Sequence, residues 1–286
     1  MSVASGAGHT TCPNRATGDH RSSGERGVEN AACMIGERET IEELQARRAY
    51  ECRLTPGRTL GSLEEAEAFL LDRGLLTRTP DSALPSLFGA CHEEPYAPGK
   101  PGFGRWPRTK YPWFGELGRR YLTLAVHRGK SLLVTPEVAR LLDPLCRREL
   151  EQLEAAGGPP ARVLHHLADA GPSELEDLQF ELELSAKELR QLRSALERRG
   201  AIVSRSVVYD RPHRHTSELV RWDQLLPERS ATADLGDLFV AAVRAAVVAP
   251  ESEVPRWFPW REDGLVERLV AAGRLVRPEP GWVWAG

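Results

Sequence analysis

The stretch that decides the fold lies in the middle of the chain, where residues 160–222 read PARVLHHLADAGPSELEDLQFELELSAKELRQLRSALERRGAIVSRSVVYDRPHRHTSELVRW. Apolar residues recur at helical spacing in three segments, and Ser173 and Ser185 are suitable N-caps for the second and third helices, 174–182 and 186–199. After Gly200, AIVSRSVVYD and TSELVRW predict two strands joined by a turn. Three helices followed by a hairpin is the element order of a winged helix.

The same order is predicted again at the end of the chain. Residues 231–249, 252–258 and 261–273 predict three helices, and two short strands follow around the turn PEPG. The N-terminal half predicts helices, a long loop and a hairpin, which fits a third, modified copy. The expected fold class is therefore α+β and mostly helical, with tandem winged-helix (helix-turn-helix) modules and small β-hairpin wings.

Composition divides the chain into four segments. The first 36 residues are rich in Ser, Gly, Thr, Ala and Arg and contain few large apolar residues, which predicts a disordered leader. The sequence GGPP at 157–160 is the clearest linker. The expected segments are a leader, an N-terminal winged-helix-like module with a long basic aromatic loop, a central winged helix and a C-terminal winged helix, at 1–36, 37–156, 157–228 and 229–286.

Bulk composition limits the classes of protein that the chain can be. Its formal net charge is −3, so binding to a polyanion requires a local concentration of positive charge. Five scattered cysteines without a C-x-x-C pair fit neither a disulfide framework nor a zinc ribbon, and they indicate a reducing compartment. Because no apolar run reaches about 18 residues, we expect no membrane span.

The third helix of the central module and the wing after it form the first candidate DNA-binding segment. Together they carry eight basic residues against three acidic ones. Lys187, Arg190 and Arg193 follow a three-residue spacing opposite a leucine stripe, and a helix with that pattern suits a major groove. Arg211 and Arg214 lie at the wing tip, where phosphate or minor-groove contacts are expected. A solvated helix face is the alternative interpretation.

The second candidate segment is the loop and hairpin at 100–130. It holds eight basic residues against a single glutamate, with aromatic residues interleaved, and such a pattern suits phosphate contacts combined with base stacking. Alternatively, the aromatic rings anchor the loop on the core, which is the interpretation favoured for Trp113 and Phe114. The DNA-binding candidates in this segment are Arg105, Trp106, Arg108, Lys110, Arg128 and Lys130.

Motifs of catalysis are weak in this sequence. It contains no G-x-S-x-G, no P-loop and no G-x-G-x-x-G. Glu93 and Glu94 precede the basic loop, where a carboxylate could act as general base in glycosidic hydrolysis or could balance the positive charge. No metal site and no cofactor are expected.

Several stretches carry a family resemblance that covers about residues 60–286. The ending EVPRWFPWREDGLVERLVAAGRLVRPEPGWVW resembles the third winged helix of the winged-helix DNA glycosylases of the AlkZ type, which unhook crosslinked or alkylated bases. SLEEAEAFLLDRGLL, LPSLFGACHEE, WPRTKYPW and HRGKSLLVTPEVARL are similar to relatives of that family, and the central segment fits the same scheme. The resemblance implies tandem winged helices that bind DNA.

The resemblance does not extend to the residues that perform the family's reaction. Those enzymes position the attacking water with a Gln-X-Gln or Gln-X-Asp pair near the N-terminus. No such pair exists among the glutamines of this chain, which are Gln45, Gln152, Gln179, Gln191 and Gln224. No catalytic residue is therefore inferred. If the chain is an enzyme, the expected reaction is glycosylase-like hydrolysis of an N-glycosidic bond.

The expected function is DNA binding by tandem winged helices, in a protein related to DNA repair glycosylases. Its expected partner is duplex DNA, including damaged or distorted DNA, and its expected location is the cytoplasm, in association with the nucleoid. Two alternatives stay open, a winged-helix transcription regulator without catalytic activity and a protein-interaction scaffold. Steep salt dependence of binding separates the two DNA-binding classes from the scaffold.

Overall fold

The structure is a computed structural model that describes residues 39–92, 110–210, 213–230 and 233–286, without the side chains of 208–215. The leader expected at 1–36 and the first part of the basic aromatic segment expected at 100–130 lie outside these residues. Within the described residues, no helix combines the length and the apolar character needed to cross a membrane.

Helices and hairpin strands alternate in the first part of the described chain. Its elements are α1 Ile41–Glu51, α2 Leu63–Arg73, β1 Leu75–Thr77, α3 Leu87–Ala90, α4 Trp113–Arg120, β2 Leu122–His127, β3 Lys130–Val134 and α5 Pro136–Ala156. The helix starts follow local chemistry, since Thr40 forms a capping box with Glu43 and Ser62 caps α2. Asp81 and Ser82 are also residues that suit an N-cap and predict a helix from there to Ala90, but the structure begins that helix only at Leu87.

A proline explains why this helix does not start before α3. Ser86 caps it by accepting from the backbone N–H of Gly89. Pro85 stands directly before the cap, and a residue that precedes proline disfavours helical geometry. Strand β1, which the sequence analysis did not predict, exists because Leu76 pairs with Leu133 of β3.

The middle part has the order that the sequence predicts, with one strand added. Its elements are α6 Gly158–Ala170, β4 Ser173–Glu174, α7 Leu175–Glu181, α8 Ala186–Arg198, β5 Ile202–Asp210, β6 His213–Arg221 and α9 Trp222–Leu225. Ser185 forms a capping box with Glu188, as its position before the helix predicts. The prediction that Ser173 caps α7 is wrong, because its hydroxyl donates to the Gly171 carbonyl and Glu174 is the N-cap.

The last part has shorter helices than the sequence predicts. Its elements are α10 Leu235–Ala246, β7 Val248–Pro250, a 3₁₀ turn Val254–Arg256, α11 Leu265–Ala271 and β8 Trp282–Trp284. The helix predicted over 231–249 begins only after its cap, Asp234, and ends at Val247, whose φ is 68°. The β-branched residues that follow enter a strand instead, because β7 pairs with β8.

One element order occurs twice along the described chain and recurs once in reduced form. The runs from α2 to β3 and from α6 to β6 both read helix, strand, helix, helix, strand, strand. In both, the last strand lies between the other two, as the orders β1-β3-β2 and β4-β6-β5 record, and all pairing is antiparallel. The last part repeats this scheme in reduced form, since Trp284 of β8 pairs with Val248 of β7 and bridges to Val276.

The hydrophobic core joins the first and last parts of the chain. One cluster of buried residues includes Val126 of β2, Leu142 of α5, Phe239 of α10 and Trp257. The middle part has a separate core in which Leu178 and other leucines of α6, α7 and α8 pack on β6. Residues Glu39–Gly286 nevertheless form one compact unit, because these cores are in contact through α5 and α8.

Burial makes three thiols unreactive. Cys52, Cys91 and Cys146 are at most 1% exposed. Burial raises the pKa of Cys52 to about 11 and also raises the pKa of Cys146, so little thiolate exists at pH 8. We expect brief alkylation of the native protein, mapped by mass spectrometry, to leave all three unmodified, while the unfolded protein reacts at each. Modification of Cys146 in the native state would contradict this burial.

Candidate nucleic-acid interface

Helices α7 and α8 are joined by a tight turn. Helix α7 ends at Glu181, and Glu183 adopts a left-handed conformation with φ of 52° before Ser185 caps α8. Leu178 and Leu189 are buried in the same core, which holds the two helices together. Helix α8 therefore packs with one face on this core and has its other face in solvent.

The solvent face of α8 is cationic and polar. Lys187, Arg190, Gln191 and Arg198 are exposed. The structure describes no acidic partner for Lys187, Arg190 or Arg198 within hydrogen-bond or ion-pair distance, and Leu189 and Leu196 occupy the buried side. This face thus carries positive charge that other described side chains leave unneutralised.

Arg193 does not share that face, which corrects the expectation that Lys187, Arg190 and Arg193 lie together. At 100° per residue, Arg193 is about 120° from Lys187 and about 40° from the buried Leu189. Its side chain is 32% exposed, and its Nε lies 3.7 Å from Glu197 Oε2. Arg193 therefore belongs to the edge of the core, and a neighbouring carboxylate balances its charge.

Arg198 takes the place that sequence reasoning gave to Arg193. It follows Lys187 by eleven residues, which is close to three helical turns, so the two side chains lie within about 20° of each other around the axis. This eleven-residue spacing was visible in the sequence and could have identified Arg198 as a residue of the same face. Arg198 also lies over the turn between β2 and β3, where a Cβ added at Gly129 would stand 2.6 Å from Nε of Arg198.

The turn between β2 and β3 holds two of the predicted DNA-binding residues, and both are engaged inside the protein. Arg128 donates from Nη1 to the Asp81 carbonyl at 3.2 Å, and its Nη2 lies 3.5 Å from Glu253 Oε1. The ammonium of Lys130 lies 2.8 Å from Asp81 Oδ2. Both positive charges are therefore paired with groups of the protein. The hairpin turn links β2 and β3 to Asp81 and Glu253, and neither cation is available to a ligand without breaking these contacts.

The remaining candidates of the basic loop are Lys110 and three residues outside the described chain, Arg105, Trp106 and Arg108. Lys110 is 7% exposed, and its ammonium lies 5.8 Å from the centre of the Trp113 ring. Phe114 is buried and Trp113 packs at the edge of the same cluster, which confirms that these two rings anchor α4 on the core.

The hairpin β5–β6 occupies the place of the wing that the sequence predicts for the middle part. Arg214 pairs with Tyr209 in the strand register, whereas Arg211 and the side chain of Arg214 lie outside the described part. Nearer to the core, Arg205 and Glu218 are opposite each other across the strands, with 2.7 Å between Nη2 and Oε1. This base of the wing is therefore neutral, because a cross-strand pair balances its charges.

Helix α7 has the opposite character to α8. Glu176, Asp177 and Glu181 are exposed on it, and they surround Phe180, which is 82% exposed. Carboxylates repel anions and exposed cations attract them, so α7 and α8 carry charges of opposite sign next to each other. A polyanion would be favoured at the face that Lys187 and Arg190 define and disfavoured at α7.

Neither a metal site in the described residues nor a similar protein indicates what this surface binds. Among the residues that the structure describes, no three His, Cys, Asp or Glu side chains are grouped closely enough to hold a metal ion. Comparison with protein-family models, with curated proteins and with solved structures finds no match for this chain. The proposal that follows therefore depends on the geometry and charge of the chain itself.

Proposed function

We propose that this chain is a DNA-binding protein made of tandem winged helices, and that it contacts duplex DNA through the exposed cations of α8. The element order helix, strand, helix, helix, strand, strand occurs twice and recurs once in reduced form, which supports the winged-helix assignment. The tight turn between α7 and α8 supports the assignment of α8 as a recognition helix, since helix-turn-helix proteins place their second helix in the major groove.

The observation that carries the proposal is the unneutralised positive charge on the first half of α8. Lys187 and Arg190 are exposed and have no acidic partner among the described residues, although most arginines around them are ion-paired. In helix-turn-helix proteins the N-terminal part of the recognition helix lies in the major groove. Cations at that end of α8 would therefore stand close to the phosphates that border the groove, which supports the proposal.

The resemblance to repair glycosylases sets the range of DNA that must be tested. Intact, abasic and alkylated duplexes belong in one binding series, scored for retention and for release of a base. The proposal covers binding and assigns no catalytic residue. Preference for abasic or alkylated DNA would favour repair, and preference for a fixed sequence would favour a transcription regulator.

The double variant Lys187→Ala/Arg190→Ala is expected to bind duplex DNA about 10- to 100-fold more weakly than the unaltered chain. Each cation that contacts a phosphate contributes a slope of about −0.9 to the dependence of log affinity on log salt. If both cations contact phosphates, losing them lowers the magnitude of that slope by about 2. Fluorescence anisotropy of a labelled duplex over a series of salt concentrations measures both quantities.

A matched control separates local contact from bulk charge. Arg140→Ala/Arg229→Ala also removes two positive charges, and both arginines are exposed, with side chains 65% and 73% accessible. This control should bind as the unaltered chain does, because neither arginine lies on α8. Equal loss in both double variants would attribute binding to net charge, and unchanged binding in Lys187→Ala/Arg190→Ala would remove α8 from the proposal.

A protein-interaction scaffold is the second candidate, and exposure of Phe180 favours it. A large aromatic ring that is 82% exposed is a ready contact for another protein surface. Sedimentation of the unaltered chain and of Phe180→Ser over a range of concentrations tests whether that ring supports self-association. An apolar contact persists in high salt, in contrast to the phosphate contacts of α8.

A further inference from the structure

We propose that α8 reads DNA sequence, and that Gln191 is its specificity-determining residue, selecting an adenine in the major groove. This inference rests on the proposed DNA binding and adds to it the kind of site that is bound. It starts from four side chains of α8 that share one stripe, in the order cation, amide, hydroxyl, cation: Lys187, Gln191, Ser194 and Arg198.

The spacing of the four residues keeps them on one side of the helix. They follow Lys187 by four, seven and eleven residues, and at 100° per residue all four fall within about 60° of the circumference. Leu189 and Leu196 occupy the opposite, buried side. Lys187, Gln191 and Arg198 of the stripe are exposed and Ser194 is half-buried, with the core on the opposite side of the helix.

The length of the stripe fits the width of a major groove. Lys187 and Arg198 are eleven residues apart, which is about 16 Å along the axis, and the major groove of B-DNA is about 12 Å wide. Cations at the two ends can therefore reach phosphates on the two walls. Gln191 and Ser194 lie between them, where a helix in the groove contacts base edges.

The two central side chains are suited to recognising a base by hydrogen bonds, and they are uncharged, so they add nothing to non-specific attraction of phosphates. A glutamine amide presents one donor and one acceptor side by side, which pair with N7 and the N6 amino group of adenine. No described residue forms a hydrogen bond with the exposed Gln191 amide, so both groups are available to a base. Ser194 can accept or donate, and so it adds contact without strong selection.

Neighbouring acids do not block this stripe. Glu197 lies against Arg193 and accepts from the hydroxyl of Ser204, so its carboxylate is turned to the wing. Glu188 is held at the start of α8, where it accepts from the backbone N–H of Ser185 at 2.9 Å. The guanidinium of Arg198 packs over Gly129 of the β2–β3 turn, where the absence of a side chain leaves room for it.

The test is selection of binding sites from a library of duplexes with a randomised centre, carried out with the full chain and with Gln191→Ala. The full chain is expected to enrich a short motif that contains an adenine. Gln191→Ala is expected to lose preference at that one base pair by about 10- to 100-fold, because one bidentate contact disappears. Its affinity for duplexes that lack the adenine should be unchanged.

The control is Gln152→Ala, which removes an exposed glutamine from α5 and should reproduce the motif of the unaltered chain. If the full chain binds duplexes but enriches no motif, sequence reading is overturned and the proposed DNA binding stands. If Gln191→Ala enriches the same motif with the same preference, the assignment of Gln191 is overturned. If the full chain binds no duplex, the proposed function and this inference both fail.

Discussion

Replacing Asp143 by alanine is expected to lower the free energy of unfolding by about 3–5 kcal/mol, which is the usual cost of removing one partner of a buried charged pair. Asp143 of α5 is 1% exposed. Its Oδ1 accepts from Nε of Arg147 at 2.8 Å and from the indole N–H of Trp222 at 2.7 Å. Its Oδ2 accepts from the backbone N–H of Ser230 at 2.8 Å.

The size of this effect follows from what the substitution leaves behind. Without Asp143, the 8% exposed Arg147 keeps a buried positive charge, with the Leu226 carbonyl as its remaining described partner. Trp222 also loses the acceptor for its indole N–H. Because Asp143 binds Trp222 at the start of α9 and Ser230 beyond its end, its loss should weaken the packing of α5 against this segment.

Urea unfolding followed by circular dichroism measures the change, and a second variant tests its cause. In Asp143→Ala/Arg147→Met the unpaired charge is absent, so a large share of the lost stability should return. A loss below about 1 kcal/mol in Asp143→Ala would show that the pair contributes no more than a surface ion pair does.

The second large effect expected is a loss of stability in acid that comes from His127. Its side chain is completely buried, Nδ1 lies 3.0 Å from the Trp257 carbonyl oxygen, and Nε2 has no hydrogen-bond partner among the described residues. Burial, followed by the positive charge of Arg128, lowers the pKa of His127 from 6.5 to about 4. The charge of Lys130 acts in the same direction, while Glu253 and the Trp257 carbonyl oppose it.

The direction of the pH effect follows from these two pKa values. The unfolded chain takes up the proton near pH 6.5 and the folded protein only near pH 4, so acid favours the unfolded chain between them. Stability that depends on the neutral imidazole is complete above pH 6.5 and falls as the pH is lowered toward 4. The difference between the two pKa values corresponds to about 3 kcal/mol.

Unfolding free energies from urea titrations between pH 7 and pH 4 test this prediction against His127→Asn. The asparagine amide keeps a donor near the Trp257 carbonyl and does not titrate. The variant should be less stable at pH 7, and its stability should fall by about 3 kcal/mol less than that of the unaltered chain between pH 6.5 and 4. Equal pH dependence of the two proteins would assign the acid sensitivity to other groups.

Local hydrogen bonds explain why many elements could be predicted from sequence. The caps at Thr40, Ser62 and Ser185 need only a side chain and the next turn of backbone, and the structure has all three. The start of α5 likewise follows from Pro136, which suits a first helical position. The helical stripe of α8 was visible for the same reason, because a period of 3.6 residues is a local property.

Long-range pairing explains what could not be predicted. Strand β1 is three residues long and is defined by its pairing with β3, more than fifty positions later in the chain. Asp81 and Glu253 pair with the hairpin cations Lys130 and Arg128 from distant positions, so no local pattern indicated that these charges are neutralised. Arg193 was wrongly assigned to the face of Lys187, from which it lies about 120° around the helix axis, and burial of Leu189 fixes that orientation.

The sequence by itself determined the order of the middle elements, the capped start of α8 and its division into an apolar and a cationic side. Each depends on interactions between residues a few positions apart. Only the tertiary structure decided that the hairpin cations Arg128 and Lys130 are neutralised, since folding brings Glu253 and Asp81 beside them. It leaves Lys187 and Arg190 without such a partner in the described chain. The sequence shows which residues are charged, but the packing of the folded chain determines which of the hairpin charges are neutralised.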